Sequence, residues 1–251
     1  MKIYSADPQT WKDLEFKVAE VFNDMNCKAS VQKSITTVRG DVNIDVFVED
    51  TSNKPNLIYL CECKYWNSEV PKTIIHAFRT VVNDYGAHCG YIISKKGFQS
   101  GAREAAQNSN IFLLNWDEFL TTFEDKWLLT MINKLHSIGE PLRHYCNPLA
   151  DFFSDVFEQL SPNEQRKFIE TSVKHFPIGA YSNKMFYLDI CTGALVKEEA
   201  DALITQTAEK LKINNQVFSY KDFFSYMLSK CEKGITTLDG ILKQPVRKNR
   251  F

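Results

Sequence analysis

Apolar positions in the first half of the chain change period several times. Trp11, Leu14, Val18, Val21 and Phe22 recur at helical spacing. Thr10 stands ahead of them as a helix cap, with Asp13 at the third position as a capping-box variant. Val31 to Thr37 reads as a first strand. Val42, Ile44, Val46 and Val48 then alternate with Asn43, Asp45, Phe47 and Glu49, which predicts a strand with one firmly apolar face. Residues 50–56 have the composition of a turn. Leu57 to Cys63 is apolar on both faces, as a central strand should be. From Pro71 a helix presents Ile74, Ile75, Phe78, Val81 and Val82. Cys89 to Ser94 reads as a buried strand, Phe98 to Gln107 as a short helix and Ile111 to Leu114 as a last strand. A short turn joins the two clearest strands, so they are antiparallel, whereas the later strand–helix–strand units imply right-handed parallel crossovers. An α/β fold follows, a mixed sheet flanked by helices.

Strand signals fade after Trp116. Asp117 to Leu135 reads as a long helix, and the remainder is mostly helical, with interruptions expected near Gly139-Glu140-Pro141, at Ser161-Pro162 and near Pro177 to Tyr181. Phe152, Phe153 and Phe157 form a stripe best read as core packing. A soft boundary near residues 120–140 divides the chain into a domain over 1–122 and a helical domain over 123–251.

With 251 residues, 44% of them hydrophobic and 13% aromatic, the chain has the makings of a substantial core, and disorder does not describe it. A formal net charge of −1 does not advertise nucleic-acid binding, although a sum leaves room for a local basic surface. The seven cysteines form no CxxC pair and no Cys/His cluster, so zinc has no support. Cys61 and Cys63 read as reduced core residues. An odd cysteine count without a signal peptide favours a cytoplasmic location. No apolar run approaches the roughly 18 residues of a membrane span. The five histidines, His76 and His88 among them, share no ligand spacing and are assigned no chemistry.

Chemistry is concentrated at the end of one strand. Glu62 and Lys64 sit two apart, so their side chains leave the same face, and Asp45 lies on the polar side of the preceding strand. If the two strands pair, the three groups converge. Two carboxylates with a lysine beside them are what phosphodiester hydrolysis requires: oxygen ligands for Mg²⁺ and a cation to orient water and offset charge at phosphorus. On the residues alone an ordinary salt bridge at a strand end is the better reading, because Glu-x-Lys is a common sequence.

The run Gly40-Asp41-Val42-Asn43-Ile44-Asp45-Val46, followed by Cys61-Glu62-Cys63-Lys64, resembles the Mrr-like restriction endonucleases of the PD-(D/E)xK superfamily. Ser94-Lys95-Lys96-Gly97-Phe98 with Ala102, Ala105 and Ala106, then Ile111 to Leu114, looks like the closing strand–helix–strand of that family, and Leu14-Glu15 before Val18 fits its opening helix. The resemblance covers about residues 9–120. It implies a restriction-endonuclease-like sheet and a Mg²⁺-dependent endodeoxyribonuclease, with Mn²⁺ able to substitute. It makes Asp45 and Glu62 metal ligands, Lys64 the catalytic lysine and Glu15 an accessory acid from the first helix. Asp41 matches an acidic position but can equally shape a turn. Val42 and Asn43 depart from the small glycines usual there, and Glu62 stands where glutamine is frequent. DNA is the implied substrate, with Lys95 and Lys96 as candidate phosphate contacts, and a role in defence against foreign DNA follows by analogy. Alternatives are a non-catalytic binding or assembly module and a structure-selective enzyme similar to archaeal Holliday-junction resolvases. The C-terminal half resembles no known family and is assigned sensing, partner binding or homo-oligomerisation; its Arg247, Lys248 and Arg250 read as a solvated terminus.

Overall fold

A computed structural model describes residues 1–52, 54–147, 154–192 and 197–243. It begins with α1 (Trp11–Asp24), β1 (Lys28–Thr37), β2 (Gly40–Asp50) and β3 (Leu57–Lys64). There follow α2 (Lys72–Tyr85), β4 (Cys89–Ser94), α3 (Ser100–Ala106) and β5 (Ile111–Asn115). Five helices come next: α4 (Trp116–Tyr145), α5 (Ser154–Glu158), α6 (Pro162–Thr192), α7 (Lys197–Lys210) and α8 (Tyr220–Leu242). The chain divides into two compact units, Ala6–Thr130 and Met1–Ser5 with Met131–Phe251, and α4 contributes to both.

The first unit holds one sheet in the order β1-β2-β3-β4-β5. β1, β2 and β3 pair antiparallel, and β3, β4 and β5 pair parallel. This is the mixed sheet expected from the chain's short turn and its two later crossovers. Thr10 caps α1 by accepting the Asp13 N–H, and the Asp13 carboxylate accepts the Gln9 N–H in return. Pro71 is the N-cap of α2, one position before the helix rather than inside it. On one side, α2 and α3 cover the sheet through Ile75, Phe78, Val82 and Ala102 against Leu60, Ile92 and Ile111. Elsewhere in the unit, Phe22 of α1 meets Tyr59, Tyr91, Phe119 and Phe123 at ring separations of 4.9–6.3 Å.

The alternation expected along β2 does not hold throughout. Ile44 and Phe47, three residues apart, belong to the same apolar layer, which a strict period of two forbids. The change of phase falls between them, at Asp45 and Val46. Residue 50, read as the start of a turn, is instead the last of β2 and is buried.

In the second unit the expected break at Ser161-Pro162 is present. Pro162 opens α6, and Ser161 and Glu164 form a reciprocal capping box. The breaks expected near residues 139–141 and 177–181 are absent: α4 runs through Pro141 and α6 through Pro177. A proline inside a helix costs roughly 3 kcal/mol. Close helix packing offsets it here. A Cβ on Gly139 would lie 2.8 Å from the Ser182 Cβ, and one on Gly179 would lie 3.1 Å from the Arg143 backbone nitrogen. The glycines that look like helix breakers are therefore the contacts at which α4 and α6 touch. Gly234 of α8 does the same against His175. Ser219 caps α8, whose first turn also donates Tyr220 and Lys221 N–H groups to the carbonyls of Lys2 and Ile3. Phe157 packs on Phe168 at 5.5 Å, in keeping with core packing. Phe152, Phe153, Arg247, Lys248 and Arg250 lie outside the described residues. Among the described residues, no helix is long and apolar enough to cross a membrane.

Candidate active site

The β2–β3 ladder ends at Val46 opposite Cys61, one step short of Asp45 and Glu62. Beyond that point the Cys63 N–H donates to Asp45 Oδ2 at 2.7 Å. A side chain thus replaces a strand partner, and the two strands part where the polar residues begin. Glu62 and Lys64, two apart on β3, form an ion pair through Oε1 and Nζ, with their side chains 21% and 15% exposed. Lys64 Nζ also lies 5.3 Å from the centre of the Trp66 ring. Glu15 arrives from α1 and is buried at 6% exposure. Its Oε2 accepts the Gln32 Nε2–H at 2.9 Å, and the same nitrogen lies 3.4 Å from Asp45 Oδ1.

The fold therefore gathers all four residues singled out in the sequence, Glu15, Asp45, Glu62 and Lys64, where the middle of β2 meets the C-terminal end of β3. It does not bring in Asp41, which accepts a hydrogen bond from Thr36 Oγ1 at 2.7 Å in the β1–β2 hairpin. Lys95 adjoins the group: its N–H donates to the Lys64 carbonyl at 3.0 Å. Its Nζ donates to Asn67 Oδ1 at 3.1 Å and lies 4.1 Å from the Tyr65 ring centre. Gln32 was not singled out in the sequence. Nothing in a strand reading of β1 separates it from its polar neighbours, because its part in the site depends on a backbone conformation that pattern does not encode.

Three carboxylates crowd around one lysine here, and the proton affinities of Glu15 and Glu62 register it. Burial pushes the Glu62 carboxyl above its ordinary range and the charge on Asp45 adds to the rise, while Lys64 opposes both. Burial also raises Glu15; the hydrogen bond from Gln32 works against it, and Asp45 and Glu62 push it further up. A surplus of negative charge built from oxygen donors suits a hard divalent cation. Among the described residues, no group of three His, Cys, Asp or Glu side chains converges on a metal position. Asp45 and Glu62 could supply two ligands, with water and phosphate oxygens completing the shell, the manner in which Mg²⁺ is commonly held.

Cys61 and Cys63 flank Glu62 in sequence, are buried, and carry free thiols. Burial raises both thiols well above their usual range. They pack in the core.

A second polar cluster occupies the far end of β2. Asp50 is 1% exposed and accepts hydrogen bonds from Lys126 Nζ at 2.8 Å, from Tyr59 Oη at 3.2 Å and from the Ser52 N–H at 3.0 Å. Burial would raise its pKa, but the bonds from Lys126 and Ser52 outweigh it and hold the carboxyl at about 2. Trp127 Nε1 donates to Asp24 on α1 at 3.0 Å, one residue along α4 from Lys126.

A mixed five-stranded sheet flanked by helices, whose central strands part at an Asp and a Glu-x-Lys, defines the restriction-endonuclease-like class of α/β folds. The model of the Mrr-type catalytic domain, described as a restriction endonuclease, matches residues 6–123, and this region is similar to that family. Among solved structures, the crystal structure of a protein of unknown function, AF1548, is similar at 17% identity, over 66% of this chain and 98% of that one. Its TM-score is 0.39, too low to carry an argument. Comparison with curated proteins finds no match.

Proposed function

We propose that the first unit is a divalent-metal-dependent DNA endonuclease, with Asp45 and Glu62 as metal ligands, Lys64 as the catalytic lysine and Glu15 as an accessory acid. The observation that carries this reading is the Glu62–Lys64 pair beside Asp45 at the point where β2 and β3 part. A bound Mg²⁺ or Mn²⁺ would polarise a phosphate oxygen and acidify a coordinated water. The chain's own residues do the rest. Lys64 holds the attacking water and, as its Nζ is already poised at the carboxylates, offsets the negative charge that grows on the phosphate. Asp45 is fixed through the Cys63 N–H, so it presents its oxygens without reorganisation. Glu15 is the acid best placed to exchange a proton, because its carboxyl is raised and it stands on a different element from the ligands. Lys95, joined to Lys64 through the backbone, contacts flanking phosphate. The second unit serves in sensing, partner binding or oligomerisation, and the likeness of residues 6–123 to the Mrr-type catalytic domain favours a role against foreign DNA.

The test is cleavage of plasmid, linear duplex, single-stranded DNA and RNA, with Mg²⁺, Mn²⁺ or excess chelator. DNA cleavage that requires the metal and falls about a hundred- to a thousandfold in Lys64→Ala is expected. Undiminished cleavage in chelator, or by Lys64→Ala, overturns the assignment.

A further inference from the structure

Gln32 stands in a conformation that its strand does not require. Val31 pairs with Val46 and Lys33 with Ile44, which leaves Gln32 opposite Asp45. Its φ is +50°, in the left-handed region that residues other than glycine enter at a cost in free energy. No burial offsets this cost, since residues 30–34 of β1 are exposed. The compensation on view is the side-chain amide, which reaches Glu15 Oε2 at 2.9 Å and Asp45 Oδ1 at 3.4 Å. An amide NH₂ has two hydrogens, one for each carboxylate. With the Cys63 N–H on Oδ2, Asp45 is then held at both oxygens. Strained backbone maintained at a cluster of functional groups is a recurrent sign that the geometry is used.

We propose that Gln32 is a positioning residue for the hydrolytic site, a neutral bridge that draws Glu15 of α1 to Asp45 of β2 and orients both carboxylates. The proposal rests on the nuclease reading above. The residue type fits the task. A lysine or arginine there would neutralise the charge meant for the metal, a serine hydroxyl brings only one hydrogen, and asparagine keeps the amide but is one carbon shorter.

Glycine is the decisive substitution, because it adopts φ +50° without strain while deleting the amide. Gln32→Gly is expected to unfold at the same temperature as the parent or higher, yet to lose about ten- to a hundredfold in kcat on a DNA duplex with KM within about twofold. A purely structural role predicts the reverse pattern, lower stability with an unaltered kcat, and that result overturns the proposal. Lys64→Ala, run in parallel, separates the two readings: if it cleaves like the parent, the nuclease assignment falls by itself. A measurement without cleavage keeps the bridge testable in that event. In the metal-free protein the Gln32 side-chain ¹⁵N–¹H₂ pair, identified by its loss in Gln32→Gly, should shift in both Glu15→Gln and Asp45→Asn. A pair that responds to neither shows that the bridge does not form.

Discussion

At the C-terminal end of β2, Asp50 is enclosed and receives Lys126, Tyr59 and Ser52; at the middle of the strand, five residues away, Asp45 stands with Glu15, Glu62 and a single lysine. The first carboxylate is held at about 2, below its ordinary 3.8, while Glu15 and Glu62 around the second are pushed upward. Both acids lie on the same strand, so the contrast comes from the partners. Where donors outnumber the acid, a buried charge fastens α4 to the sheet. Where acids outnumber the donors, the same burial leaves a local conflict, and such conflicts belong at sites that bind something.

The contrast can be broken most forcefully at Asp45. Asp45→Ala is expected to abolish DNA cleavage and weaken Mn²⁺ binding in isothermal titration, while urea unfolding changes by less than about 1 kcal/mol. A large loss of stability would place Asp45 with Asp50 as a structural acid. Asp50→Ala should do the opposite, costing about 3 kcal/mol because it strips the partner from a part-buried ion pair, with cleavage per folded molecule retained. Lys126→Ala, which leaves the enclosed Asp50 carboxylate with Tyr59 and Ser52 alone, should cost about 2 kcal/mol by the same measurement. The smallest effect is a gain: Glu62→Gln should stabilise the fold at neutral pH by up to about 1 kcal/mol while ending cleavage.

Acid sharpens the same comparison, since the two clusters respond with opposite sign. Asp50 binds its proton more weakly folded than unfolded, so its contribution is complete above pH 3.8 and disappears as pH falls through about 2. Glu62 binds its proton more tightly folded, so its penalty is absent below its ordinary 4.5 and complete only above its raised value. The gain in Glu62→Gln should therefore vanish as the solution is acidified below 4.5. Asp50→Asn should remove the steep loss between about pH 4 and 2. Unfolding of each variant across pH 2–7 measures both.

Much of this arrangement was readable in advance, for identifiable reasons. The sheet strands and α1 and α2 carry local signals, a cap at Thr10, β-rich runs and a 3.6-residue apolar period, that survive packing. Glu62 and Lys64 were legible because polar residues at the end of an apolar strand are conspicuous, and Asp45 because it lies on the polar side of the strand before them, in the run that resembles the Mrr-like motif. Pro141 and Pro177 misled, because the tight packing of α4 and α6 at Gly139 and Gly179 is a tertiary gain that no local propensity contains. The change of phase at Asp45 and the left-handed Gln32 opposite it were hidden likewise, since the sequence there still reads as plain alternation. Asp50 looked like a turn residue because its partner Lys126 is 76 positions away.

Cys61 and Cys63 bring the site its own clock. Their thiols are enclosed on β3 on either side of Glu62, and burial keeps them protonated, so an alkylating reagent has neither access nor a thiolate to attack. Modification must wait for β3 to leave the sheet. The labelling rate of these two positions, followed by mass spectrometry, then counts openings of the strand that carries Glu62 and Lys64. A ligand that closes the gap between the carboxylates should slow that count in proportion to its occupancy, which turns two inert thiols into a gauge of binding at the site beside them.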